Sequence, residues 1–195
     1  MTAEVFMHAS GDRFSWGHHF SDTPESVTLP DWARFANPGS DTQQAVYLLS
    51  NSLLETGSGA HSVLIQGRRC KTTKGLLSCW GDALEFPSYY GGNLDSFNEC
   101  MADLVDLEDG NLGSAFKDRV GRPAEALLIV IQEADILLED EEESLTYKFL
   151  SMLDFVATGR SQDSSTLRKT ADLRVLLLAE TTSRERLLGA FLRLR

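Results

Sequence analysis

Positive charge is scarce in this chain. Its 195 residues include 18 Lys and Arg against 29 Asp and Glu, a net charge of −11. Nucleic-acid binding is disfavoured, because phosphate contact needs clustered cations. An anionic membrane surface is disfavoured for the same reason, whereas a cationic protein partner is favoured. No Lys or Arg occurs between Lys74 and Lys117, nor between Arg122 and Lys148. Long apolar runs are also missing. Leu127–Ile131 and Val175–Ala179 are short, against about 20 residues for a spanning helix. The start, Met1-Thr2-Ala3-Glu4, has neither a basic segment nor an apolar one, so no secretory signal is expected. Cysteine is sparse: Cys70, Cys79 and Cys100 are odd in number and fit no metal spacing. Reduced thiols in a cytoplasm are the expectation.

The remaining residues alternate between strand and helix patterns. Residues 1–38 hold Phe6, Phe14, Trp16, Phe20, Trp32 and Phe35, broken by Pro24, Pro30 and Pro38; this reads as an irregular extension packed on a neighbour. Asp41 or Thr42 begins a helix with Val46, Leu49 and Leu53 on one face. Thr56–Gly59 reads as a linker. Ser62–Gln66 is a strand. Thr72 or Thr73 starts a helix with Leu76, Leu77 and Trp80, which ends near Pro87. Tyr89–Asn93 is a loop, and Asn93 or Asp95 caps the next helix, carrying Phe97, Cys100, Met101 and Leu104. Leu127–Ile131 is apolar at every position, as a buried parallel strand is. A helix over 142–158, a polar loop over 159–170, a strand over 173–178 and a helix capped by Ser183 complete the chain. The order implies a small parallel three-stranded sheet with right-handed crossovers, an α/β fold.

Enzymatic chemistry finds little support. The strand ending Gln132-Glu133-Ala134-Asp135 has the form of a nucleotide hydrolase's metal-binding strand, but no Gly-rich loop with Lys accompanies it. His8, His18, His19 and His61 fall in the first 61 residues, and the adjacent His18-His19 with Asp22 is a weak metal signal. Cys100 beside Glu99 lacks the electropositive setting of a nucleophile. A metal-dependent enzyme is thus the weaker alternative.

The informative segment is Phe86-Pro87-Ser88-Tyr89-Tyr90-Gly91-Gly92-Asn93-Leu94-Asp95-Ser96-Phe97-Asn98-Glu99-Cys100-Met101. Gly91 and Gly92 let the loop expose Tyr89 or Tyr90. Asp95 and Glu99, four apart, lie on one helix face. Together they form an anionic, aromatic-edged patch suited to a cationic cleft that normally holds phosphate. The block resembles the barstar family of bacterial ribonuclease inhibitors. Pro87, Tyr89, Tyr90, Gly91, Asn93, Leu94, Asp95 and Cys100 match its pattern in place, and the element order over 62–179 matches its fold.

The resemblance implies an immunity protein, or antitoxin, that plugs the active site of a toxic ribonuclease. The implied contact residues are Tyr89, Tyr90, Gly91, Gly92, Asn93, Asp95, Asn98, Glu99 and Ala102. Asp154 is the nearest candidate for a Glu that the type member uses on its last helix. No cofactor and no metal are implied. The type member has Trp where Asn98 stands, Asp at Glu99, Thr at Ala102 and a second Trp at Leu104. Loss of an aromatic anchor implies a partner other than the usual small ribonuclease, a different cationic toxin. The expected organisation is an N-terminal extension over 1–60, a barstar-like domain over 61–179 and a C-terminal amphipathic helix over 180–195. A non-toxin interaction module is the other alternative.

Overall fold

The structure is a computed structural model that describes residues 28–39, 60–106, 126–159 and 170–194. The helix expected to begin at Asp41 or Thr42, the linker at 56–59, most of the 159–170 loop and His8, His18 and His19 lie outside the described residues. The elements are β1 (Ala33–Ala36), β2 (Ala60–Gln66), α1 (Thr73–Ala83), α2 (Leu94–Val105), β3 (Ala126–Gln132), α3 (Glu143–Thr158), β4 (Asp172–Leu178) and α4 (Glu185–Leu192). No described helix is long and apolar enough to cross a membrane.

The sheet has four strands in the order β1-β4-β3-β2, and every pairing is parallel. That corrects the expected three strands. The additional strand, Ala-Arg-Phe-Ala, comes from the segment read as irregular. Only four residues long and bracketed by Pro30 and Pro38, it carries almost no periodic signal. Proline at both ends is tolerated because β1 borders the sheet and needs few ladder bonds there. Its partner decides its state: Ala33 pairs with Val175 and Ala36 with Leu178.

One sheet face carries Val63, Ile65, Leu127, Ile129, Ile131, Leu173, Val175, Leu177 and Phe35 into a cluster shared with all four helices. On the other face Leu128, Val130, Leu176 and Leu178 are buried as well. Burial on both faces explains why β3 over Leu127–Ile131 and β4 from Val175 onward read as unbroken apolar runs rather than alternating ones. At the centre, Trp80 packs edge-on to Phe97 and Phe149, with ring centroids 5.6 and 5.1 Å apart. Those contacts seat α1, α2 and α3 against one another.

Local sequence explains the helix starts. The Thr72 hydroxyl accepts the Gly75 N–H at 3.1 Å and caps α1. The start of α4 departs from expectation. Ser183 lies in a single 3-10 turn, and Arg184 precedes the helix without a side-chain cap. Arg184 is instead buried, donating to the Ala179 carbonyl and to Asn37 Oδ1 and lying over the Phe35 ring at 5.1 Å. The guanidinium wins because it joins the ends of β1 and β4, a tie that a serine is too short to make. Arg186, in the first turn of α4, donates to the carbonyls of Asp135 and Leu137 and to the Thr146 hydroxyl. It thereby binds α4 to the turn after β3.

Candidate functional site

The loop between α1 and α2 is braced from below. At the end of α1, Glu85 takes a left-handed conformation (φ 51°), and the Phe86 N–H bonds back to the Gly81 carbonyl at 2.9 Å. Glycine is the usual residue at such a helix end. The ring of Phe86 meets that of Tyr90 at 4.9 Å between centroids. The Tyr90 hydroxyl donates to the Leu77 carbonyl at 3.1 Å. Gly81 makes room for this ring: a Cβ there would stand 2.7 Å from Tyr90 Cε1. Burial pushes the Tyr90 phenol up to about 12. Tyr90 is therefore the brace, and Tyr89, 73% exposed, is the aromatic presented to solvent.

Gly92 adopts φ 63° and turns the chain into α2. Asn93 caps that helix: its Oδ1 accepts the Ser96 N–H at 2.9 Å, and the Ser96 hydroxyl accepts the Asn93 N–H at 3.3 Å. This reciprocal pair satisfies two otherwise unpaired donors. Of the two residues proposed from sequence as the cap, Asn93 fills the role, and Asp95 lies in the first turn. There its charge complements the positive end of the helix dipole.

Asp95 and Glu99 are both exposed, one turn apart on α2. Asp103, also exposed, continues the row by another turn. Sequence reasoning stopped at Glu99; the spacing 95, 99, 103 was the signal available for Asp103. Successive members stand about 6 Å apart along the axis, from 1.5 Å per residue. Beside this row, Asn98 and Ala102 are half-buried, and the Asn98 Oδ1 is buried without a hydrogen-bond partner. Cys100, Met101 and Phe97 face the core. The structure thus brings Tyr89, Gly91, Gly92, Asn93, Asp95, Asn98, Glu99 and Ala102 onto one contiguous loop and helix.

Asp154 stands in a different setting. Its carboxylate accepts the Trp32 indole N–H at 2.8 Å. Trp32 immediately precedes β1, at the opposite edge of the sheet from β2, the strand against which α1 packs. Among the described residues, no three His, Cys, Asp or Glu side chains converge as metal ligands would.

Residues 60–168, more than half of the chain, match the family model described as Barstar (barnase inhibitor). The chain belongs to the barstar family. A Bacillus subtilis (strain 168) relative, named "Putative ribonuclease inhibitor YrdF", is 35% identical over 85 residues, which are 40% of this chain and 90% of that protein. The braced loop and capped α2 fall inside the barstar match, and so do β2, β3 and α3. β1, β4 and α4 fall outside it. All three nevertheless pack on the same sheet and core as the matched elements.

Proposed function

We propose that this chain is a stoichiometric, reversible inhibitor that occupies the active-site cleft of a cationic ribonuclease toxin. The observation that carries this reading is a single one. An exposed Tyr89 stands on a braced loop that leads directly into an exposed row of carboxylates on α2. Membership of a barnase-inhibitor family and the name of the Bacillus relative support it. A cleft built to hold phosphate offers Lys, Arg and His, and preorganised carboxylates meet them without reorganisation. Tyr89 supplies the aromatic anchor. Asn98 and Ala102 are small where the type member is bulkier, so the partner's surface stands closer to α2 or carries the larger side chain itself. Inhibition needs no cofactor and no catalysis by this chain. It takes place in the cytoplasm of the bacterial cell that makes the toxin, before export.

The test is a titration of the full chain against a panel of basic ribonuclease toxins that extends beyond barnase and its small relatives, read by RNA cleavage. The expected result is loss of cleavage that saturates at one chain per enzyme. Asp95→Ala and Glu99→Ala should each weaken binding by roughly 2–5 kcal/mol, the range for truncating one partner of a buried charge pair. Asp135→Ala and Glu180→Ala, outside the loop and helix, should leave it unchanged. Association should slow as salt rises, because screening shortens the range of steering. Cleavage that persists at excess inhibitor across all the enzymes would sink the reading. Control substitutions that weaken binding as much as the others would move the contact surface elsewhere.

A further inference from the structure

The remaining cysteines form a feature that is independent of the partner reading. Cys70 ends the 3-10 turn Gly67–Arg69 that follows β2, and its N–H bonds to the Gly67 carbonyl at 2.7 Å. Its own carbonyl accepts the Leu138 N–H at 2.8 Å. Cys79 lies on α1, one turn after Gly75. The turn and the helix approach closely because residue 75 has no side chain: a Cβ there would stand 2.3 Å from the Arg69 carbonyl oxygen. This approach puts Cys70 against the helix face that carries Cys79. The two thiols are close enough to act on one another electrostatically and are 0% and 3% exposed. Cys100 sits apart on α2, beside Tyr90.

We propose that Cys70 and Cys79 are an oxidisable dithiol, a modification site that a disulfide oxidant closes into a bond tying the β2–α1 turn to α1. With oxidised glutathione the balance is simple. The Cys79 sulfur, as thiolate, attacks one glutathione sulfur, forming a mixed disulfide and releasing one reduced glutathione. Cys70 then gives its proton to solvent and attacks the Cys79 sulfur, releasing the second. The protein loses two hydrogens, and glutathione disulfide is reduced to two thiols.

Reactivity is governed by burial. Removal from water, and the neighbouring thiol, hold Cys70 above the ordinary thiol range. Thiolate is therefore scarce in the closed structure, and exchange waits on local opening. Leu77 and Gly81, which seat Tyr90, flank Cys79 on α1. The bond would thus tether the helix that carries the loop brace without touching Tyr89 or the carboxylate row.

The experiment uses the full chain, freed of reductant and incubated with oxidised glutathione, with and without urea below the unfolding transition. Free thiols should fall from three to one. The mass should drop by two hydrogens, and a digest should contain one cross-linked pair joining residues 70 and 79. Closure should be faster in mild urea, and the thermal midpoint should rise by about 5 °C, as expected for a short closed loop. Cys100→Ser should oxidise as the parent does, and Cys70→Ser should stop at the mixed disulfide on Cys79. Three free thiols after oxidation in both conditions would overturn the proposal. So would a bond to Cys100, a cross-linked dimer, or a lowered midpoint.

Discussion

Tyr90 donates its hydroxyl proton to the carbonyl of Leu77 at 3.1 Å, thirteen residues earlier on α1. That bond, with the ring seated over Gly81, separates two adjacent tyrosines into different jobs. Tyr90 holds the loop down, and Tyr89 faces out from it.

Substitution should separate the two. Tyr89→Ala should leave the thermal midpoint unchanged and weaken partner binding by about 2 kcal/mol or more, as for an aromatic anchor. Tyr90→Phe should destabilise the fold by roughly 0.5–1.5 kcal/mol, the net worth of one hydrogen bond, with a smaller effect on binding. Denaturation midpoints and binding titrations of both variants check this. The reverse assignment of effects would mean that Tyr90 makes the contact.

Titration at high pH gives an independent handle on the brace. The Tyr90 phenol ionises at about 12 in the folded chain, against an ordinary value of 10.0, because burial penalises the phenolate. A folded value above the unfolded one means stability that is intact below pH 10 and is lost as pH rises toward 12. Ultraviolet difference titration should show a late-ionising tyrosine that disappears in Tyr90→Phe.

Glu141 gives the corresponding effect at low pH. Its carboxylate accepts the Thr73 N–H at 2.7 Å, across from the start of α1. That bond holds its pKa below the ordinary 4.5. A depressed folded value contributes stability that is present above pH 4.5 and lost as pH falls through the lowered value. Glu141→Ala should therefore lower the thermal midpoint at pH 7, and the gap from the parent should close toward pH 3. A gap that stays constant over that range would contradict the assignment. Glu141 is for this reason unsuitable as a neutral acidic control in binding experiments.

Asp154→Ala should cost about 1–3 kcal/mol of stability, because it leaves the indole N–H of a buried Trp32 without its acceptor. Asp154→Asn keeps an acceptor and should recover most of the loss. Chemical denaturation of both variants measures this. If instead both variants fold normally and bind the partner more weakly, Asp154 is a contact residue.

Much of this protein was determined locally. The Thr72 and Asn93 caps, the glycine-turned loop and the apolar faces of α1, α2 and α3 follow from residue type and spacing over a few positions. β3 and the second half of β4 are legible because burial on both faces demands continuous apolar runs. The loop-and-helix block is legible for the same local reason, since its prolines, glycines and caps act within one turn of where they stand. What tertiary structure decided involves distant partners. β1 exists as a strand only because β4 offers it a ladder. Tyr90 rather than Tyr89 turns inward because the Leu77 carbonyl and the space over Gly81 lie beneath it. Trp32 takes up Asp154 from the far side of the sequence, Glu141 caps a helix that begins at residue 73, and Gly75 lets Cys70 reach Cys79. Each of these depends on the approach of two segments in space, which residue spacing does not encode.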